Sequence, residues 1–132
     1  MRTLVLHTER RTQLIDITAR VQEAVAGEPG RAAVLFVPHT TAGVVLQASG
    51  EGATAVAADV EAALERLVDE SWSWNHTAEG DRNPWSHVRT ALTGSSVTIP
   101  LDDGELVLGE LQAIFLCEFD GPRERKIHIA VT

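Results

Sequence analysis

The stretch Val34–Gly43, which reads V-L-F-V-P-H-T-T-A-G, limits the possible folds of this chain more than any other. Six of the seven residues that end at Pro38 are apolar and do not alternate with polar ones, which is typical of a strand buried on both faces. Proline cannot donate a ladder hydrogen bond, so we expect the strand to end at Pro38. His39 then follows beside Thr40 and Thr41, which is consistent with a functional site or with an ordinary turn that contains a histidine.

Composition predicts one ordinary globular domain spanning residues 1–132. The chain has 132 residues, 44% of them hydrophobic and 23% charged, which is enough for a substantial core. No apolar run approaches the roughly 20 residues that a membrane span requires, and the N-terminus does not resemble a signal peptide. With a single cysteine the chain forms no internal disulfide. These features predict a cytoplasmic protein that does not bind membranes.

The net charge of −8 argues against nucleic-acid binding. Eleven Lys and Arg residues are scattered among nineteen acids, whereas a nucleic-acid site needs clustered cations. An acidic surface also repels free phosphates. If the substrate is a small anionic or phosphorylated molecule, a divalent cation or a local arginine cluster must offset that field.

Hydrophobic periodicity predicts three helices and a set of strands. Strands over Thr3–Thr8 and Gln13–Ile17 are close enough in sequence to form a hairpin. The first helix is expected over 18–26, and the strongest helical pattern covers 53–68. Asn83 and Pro84 predict the N-cap and first residue of a third helix that ends at Gly94. Its inward-facing residues are expected to be Trp85, Val88 and Leu92, which places His87 off that stripe.

Four more strands complete the predicted sheets. They cover residues 96–101, 105–108, 111–119 and 126–131, and a turn is expected at 102–104. Cys117 lies between phenylalanines and is expected to be a core residue. Glu118 is an acid in an apolar row. A buried carboxylate there must be paired, bind a cation or stay protonated.

The long segment Ser71–Asn83 has no clear periodicity and carries Trp72, Trp74 and His76. Connections of this length are often functional, and tryptophan is expected to be packed. The segment therefore predicts a pocket wall for an aromatic ligand, or a loop held over the core or a subunit interface.

Three histidines, His39, His76 and His87, could converge on a metal ion with an open coordination position, as in catalytic zinc sites. Asn83 and Glu118 complete this constellation. The ligands are far apart in sequence, so spacing alone does not establish the site.

Five motifs in order carry a family resemblance: P-H-T-T-A-G, H-T-A-E-G-D-R-N-P-W-S-H, L-T-G-S-S-V-T-I-P, L-V-L-G-E-L-Q-A-I and C-E-F-D-G-P-R. With them the chain resembles the YjbQ-like family, often labelled secondary thiamine-phosphate synthase. The resemblance implies an α+β fold with a β-sandwich-like core of mostly antiparallel or mixed sheets and about three helices outside. It also implies a homotrimer with sites near the subunit boundaries.

The resemblance further implies an activity that joins a pyrimidine diphosphate to a thiazole phosphate, possibly as a weak side activity of an enzyme with another small anionic substrate. A divalent metal, Mg²⁺ or Zn²⁺, would neutralise the leaving diphosphate. The residues implied for catalysis are His39, His76, His87, Asn83 and Glu118, with the three histidines also as metal ligands. Those implied for substrate binding are Thr40, Thr41, Gln112, Asp120 and Arg123.

The sequence departs from the family pattern at three places. Gln47 and Ala48 stand where the family usually has Asn-Glu, so a carboxylate is missing, and the following acid is Glu51. Leu111 replaces a tryptophan. Two alternatives to an enzyme therefore stay open: a non-enzymatic trimer that binds a metal or small anion, and a structural or partner-binding trimer.

Overall fold

The computed structural model describes residues 1–78 and 82–132 of the chain. In this part it contains eight strands and three helices. The strands are β1 (Arg2–His7), β2 (Gln13–Asp16), β3 (Ala32–Phe36), β4 (Ala42–Ala48), β5 (Ser96–Asp102), β6 (Glu105–Leu106), β7 (Gln112–Glu118) and β8 (Glu124–Val131). The helices are α1 (Thr18–Val25), α2 (Ala53–Leu67) and α3 (Pro84–Thr93).

Two antiparallel sheets form the framework. The larger sheet has the strand order β1-β8-β3-β5-β6, and the smaller has the order β2-β7-β4. The main core lies between these sheets and is closed by α1; it includes Leu35 and Ile127 from the large sheet and Leu116 from the small one. A second cluster, around Phe115, packs between the small sheet and α2. The α+β class predicted from the sequence is confirmed.

The predicted N-terminal hairpin is wrong. β1 pairs with β8 in the large sheet, and β2 pairs with β7 in the small one. The residues between them cross from one sheet to the other and are held there by the C-terminal half of the chain. The Thr8 amide donates to the Arg123 carbonyl, and the Gly121 amide donates to the Arg11 carbonyl. Long-range pairing thus replaces the local turn.

β3 occupies the centre of the large sheet but is not buried on both faces. Ala33 and Leu35 are fully buried, whereas Phe36 is 46% exposed. The same alternation runs along β5 and β8, because only one face of the large sheet meets the core. The run of apolar residues therefore predicted the strand correctly. The prediction that both faces of this strand are buried is wrong.

The buried face of α3 is polar, contrary to the predicted apolar stripe. Val88 and Leu92 are exposed, while Ser86, Arg89 and Thr90 are buried. Ser86 Oγ donates to the Phe119 carbonyl. The helix packs through hydrogen bonds of this kind, which a hydrophobic pattern cannot identify.

Within residues 1–78 and 82–132, no helix has both the length and the apolar composition needed to cross a bilayer.

Candidate functional site

His76 and His87 meet at the edge of a cleft beside α3. Their ring centroids lie 5.4 Å apart, and the rings are inclined by 70°. His76 comes from the segment after α2, and His87 lies in the first turn of α3. The cleft has a volume of about 540 Å³. It is lined by Trp74, Asn75, His76, Pro84, His87 and Val88.

Asn83 holds His76 in place. The residue occupies the N-cap position of α3, but its side chain makes no capping hydrogen bond. Its Oδ1 lies 3.0 Å from His76 Nε2, and its Nδ2 donates to Asp120 Oδ2 at 2.7 Å. The side chain is buried, so both interactions are shielded from competing water.

This chain of contacts fixes the His76 tautomer. A carboxylate only accepts hydrogen bonds, so Asn83 must present its NH₂ group to Asp120 and its oxygen to His76. His76 Nε2 therefore carries the hydrogen and donates to Asn83.

Arg123 fixes Asp120 in turn. Its Nη2 donates to Asp120 Oδ2 at 2.9 Å, and its Nε donates to the Asp120 carbonyl at 2.9 Å. The Arg123 side chain is half-exposed, so part of its guanidinium faces solvent. The Asp120 amide donates to Glu118 Oε1 at 2.8 Å, which ties this end of the network to the core.

Glu118 and Arg125 form a buried ion pair behind the site. The side chain of Glu118 is 0% exposed and that of Arg125 is 2% exposed. Arg125 Nε donates to Glu118 Oε2 at 2.7 Å, and Thr8 Oγ1 donates to the same oxygen at 2.9 Å. Arg125 Nη2 also donates to Thr41 Oγ1 at 2.8 Å. Of the three states predicted for a buried Glu118 carboxylate, the structure shows the paired one. Glu118 and Thr41 are both buried, so neither side chain faces a ligand-accessible surface.

Sequence reasoning missed Arg125, although a signal was present. Side chains in a strand alternate between faces, and Ile127 and Ile129 face the core. Arg125 shares their face, so it points inward toward Glu118. A buried acid on one strand and an inward-facing arginine on another could have been paired from the sequence.

His39 is oriented by a different contact. Its Nε2 accepts a hydrogen bond from the Lys126 amide at 2.9 Å, so Nδ1 carries the hydrogen. Burial lowers the pKa of His39 below its usual value of 6.5, and the positive charge of Arg125 lowers it further. Both effects keep the imidazole neutral near pH 7.

The three histidines do not form the predicted metal site. In the part of the chain that the structure describes, no three His, Cys, Asp or Glu side chains are grouped so that they could hold a metal ion. His76 and His87 lie together, but the Nε2 lone pair of His39 is used by Lys126. The set therefore does not fit a shared metal ion, while the binding of Mg²⁺ or Zn²⁺ itself stays a prediction.

Neither Thr40 nor Gln112 contributes to the hydrogen bonds described above for His76, Asn83 and Asp120. Thr40 is exposed next to His39. Gln112 is exposed at the start of β7, and its Oε1 accepts a hydrogen bond from the Gly109 amide at 3.0 Å. It is six residues from Glu118 along the strand, which corresponds to roughly 20 Å. Ala48, which stands where the family usually has a glutamate, pairs with Gln112. The position of the missing carboxylate therefore lies at the Gln112 end of β7, away from Glu118.

Comparison with known proteins corrects the activity inferred from the resemblance. Residues 2–132 match the family model described as "UPF0047 protein YjbQ-like". UPF0047 protein YugU of Bacillus subtilis is 35% identical over 98% of this chain and 96% of its own length. UPF0047 protein MJ1081 of Methanocaldococcus jannaschii is 34% identical over 96% of this chain and 89% of its own.

These names assign no activity, and none points to thiamine-phosphate synthesis. Together with the unassembled metal site, they make the predicted thiamine-phosphate synthase function wrong. The predicted alternative function, non-enzymatic binding of a metal or small anion at these histidines, is not supported by these findings either.

Solved structures share the whole fold. An uncharacterised YjbQ/UPF0047-family protein from Clostridium acetobutylicum superposes with a TM-score of 0.91 at 34% identity, covering 100% of both chains. The hypothetical protein APE1520 from Aeropyrum pernix gives a TM-score of 0.90 at 32% identity, covering 99% of this chain and 96% of its own. The match in sequence and fold thus spans the chain, which belongs to the YjbQ-like UPF0047 family.

Proposed function

We propose that this protein is an enzyme in which His76 transfers a proton to or from a small aromatic molecule bound in the cleft beside α3. The observation that carries the proposal is the hydrogen-bonded series His76–Asn83–Asp120. An imidazole oriented through its second nitrogen by a carboxylate-backed partner is a common arrangement in general acid–base catalysis.

The chemistry follows from the orientation of the ring. His76 takes a proton from an acidic group of the bound molecule or from water, and the ring becomes an imidazolium. Nε2–H continues to donate to Asn83, whose dipole is aligned by the negative charge of Asp120. The proton returns to the product in the reverse step. Asn83 and Asp120 therefore act as positioning residues, and His76 is the group that touches the reacting atoms.

The cleft favours an aromatic ligand. Trp74, Pro84 and Val88 supply flat or apolar walls, and the two imidazoles supply polar edges. Trp72 stacks on Trp74 with a centroid separation of 5.5 Å, which stiffens that wall. A volume of about 540 Å³ lies within the range of small-molecule sites.

Arg123 favours an anionic group on that molecule, although it is not among the residues that line the cleft. Its guanidinium is held by Asp120 yet remains half-exposed, next to the residues that orient His76. A planar fork in this position suits a carboxylate or phosphate. We therefore propose small aromatic carboxylates or phosphate esters as the substrate class.

The test is a reaction screen in D₂O with benzoates, indole carboxylates and aryl phosphates, followed by NMR. The wild type should convert at least one probe, or exchange one of its protons for deuterium. His76→Gln should lower that rate by about 10²–10⁴-fold, the range for a general acid–base group.

The matched control is His128→Gln, because His128 is also partly buried but contacts Thr3 on the large sheet. It should keep the wild-type rate. Conversion of no probe by the wild type, or equal rates in His76→Gln and the wild type, would contradict the proposal.

We also propose that the chain forms a homotrimer in the cytoplasm. α2 has no fully buried residue although most of its side chains are apolar. Leu67, Leu92 and Leu111 are 64%, 61% and 71% exposed, which favours further burial in an assembly. Light scattering should give three times the chain mass of 14.3 kDa. A monomer mass at working concentration would contradict the trimer.

A further inference from the structure

We propose that a cavity under the N-terminal half of α2 binds a small neutral aromatic molecule that carries one hydrogen-bond donor. The cavity lies between this helix and the small sheet. Its volume is about 290 Å³, at the lower end of the range for small-molecule sites. It shares no residue with the lining of the His76 cleft, so the inference is independent of the proposed function.

Short side chains on α2 create this space. Ala53, Ala57 and Ala58 line the cavity from the first half of the helix. Further along the helix, the longer side chains of Val60 and Leu64 pack against the cluster around Phe115. The gap between helix and sheet is therefore left open where the helix carries alanine. Atoms that line such a gap lose packing contacts, which a ligand of the right thickness would restore.

The floor of the cavity is apolar. Leu14 of β2 and Phe115 of β7 line it from two adjacent strands. Both residues are almost fully buried, so a ligand in this position meets methyl groups and an aromatic ring on the side of the sheet. A flat aromatic molecule suits the space between this floor and the alanine side chains.

The charges around the cavity are already balanced, which favours a neutral ligand. The Glu61 side chain is 12% exposed, and it accepts hydrogen bonds from Arg10 Nη2 at 3.0 Å and from the Leu14 amide at 2.7 Å. Glu61 and Arg10 thus neutralise each other. Asp16 is the other acid in the lining, and the positive dipole end of α2 at the same cavity offsets its charge. A full charge of either sign on the ligand would disturb this balance.

Asp16 supplies an acceptor for the donor of the ligand. It pairs with Phe115 across β2 and β7, and cross-strand partners lie on the same face of a sheet. Its Oδ1 accepts a hydrogen bond from the Thr18 amide at 2.9 Å. Within residues 1–78 and 82–132, no group donates to its Oδ2. A carboxylate oxygen only accepts hydrogen bonds, so the polar group of the ligand is an N–H or O–H donor.

The test is an NMR titration of the ¹⁵N-labelled full chain with indole and with 1-methylindole, which has the same ring system but no N–H. Indole should shift the amide signals of residues 14–16 and 53–61. 1-Methylindole should bind at the same place about fivefold more weakly, the typical effect of one hydrogen bond. Equal affinities would overturn the proposal, as would no shifts in these residues. Shifts confined to α1, where Asp16 borders a second groove, or to the His76 cleft would also overturn it.

Two variants locate the binding in the cavity. Asp16→Asn keeps an oxygen for the Thr18 amide but replaces the free acceptor with an NH₂ group, so indole should bind about fivefold more weakly and 1-methylindole as before. The matched control is Asp59→Asn, which removes the same charge from an exposed position on α2 outside the lining and should follow the wild type. Ala57→Leu should fill the cavity and abolish binding of both probes. Wild-type affinity for indole in Asp16→Asn or in folded Ala57→Leu would overturn the proposal.

Discussion

Asn83 Oδ1 lies 3.0 Å from His76 Nε2, although Asn83 stands where a helix N-cap is expected to bond its own helix. The side chain is thus used to hold a histidine instead of capping α3. A side-chain cap is typically worth about 0.5–2 kcal/mol. Giving up that stabilisation to orient an imidazole is what we expect of a functional site rather than a structural one.

Removing the charge of Glu118 should destabilise the fold strongly. Glu118→Gln leaves Arg125 buried without a counterion, and breaking a buried pair in this way costs about 3–5 kcal/mol. Urea unfolding followed by circular dichroism measures this loss of unfolding free energy.

The half-exposed pair of Arg123 and Asp120 provides the control for this experiment. Arg123→Gln should lower the unfolding free energy by about 1 kcal/mol or less, because exposed pairs contribute little. Equal losses in the two variants would show that burial of the Glu118–Arg125 pair does not have the stated effect.

His39 should make stability depend on pH. Its pKa is lowered in the folded protein by burial and by Arg125, so the unfolded chain binds the proton more readily. Stability is therefore expected to fall as pH decreases below about 6.5, and to level off below the folded pKa. In His39→Gln the side-chain oxygen can still accept from Lys126, so the variant should lose less stability between neutral and mildly acidic pH. Urea unfolding at each pH measures this difference. If the unfolding free energies of the two proteins change by the same amount across this pH range, the prediction is contradicted.

Gly43 should not tolerate a side chain. An added Cβ would collide with the Gly94 carbonyl and with Thr93 Oγ1, where α3 ends against β4. Gly43→Ala should therefore lower the unfolding free energy by about 1–3 kcal/mol, as overpacking does. Gly109→Ala is the matched control, because its added Cβ would come no nearer than 3.4 Å to the nearest atom. Similar stability of the two variants in thermal unfolding would contradict this close packing.

Cys117 should be unreactive in the folded protein. Burial raises the pKa of its thiol to about 12, so almost no thiolate is present at pH 8. Mass spectrometry should find no iodoacetamide adduct on the native chain and complete alkylation in urea. Rapid alkylation without denaturant would show that the strand is accessible.

Regular elements were predictable because local pattern determines them. The apolar residues of α2 recur at helical spacing, and the observed Ala53–Leu67 differs from the prediction by one residue. The position of Asn83 before Pro84 likewise marked the start of α3. Sheet pairing was not predictable in the same way. β1 and β2 are close in sequence, yet each pairs with a strand from the C-terminal half of the chain.

The candidate site was predicted in part. His76 and Asn83 were identified from the residues themselves and Asp120 through a resemblance, and the structure brings the three together. The role of His39 depends on the Lys126 amide, which becomes visible only when β8 is placed next to His39. Arg125 was missed although strand alternation indicated that it faces the core, where it pairs with Glu118. Ser86 and Arg89 were missed on α3 because their burial depends on hydrogen bonds rather than on apolar periodicity.

The orientation of His76 by Asn83 can be measured by ¹⁵N NMR of the imidazole at a pH where the ring is neutral. We expect Nε2 to carry the hydrogen that is donated to Asn83, while Asp120→Asn weakens that preference. A His76 whose Nε2 carries no hydrogen, or that has the tautomer mixture of a free histidine, would contradict the arrangement on which the proposed proton transfer depends.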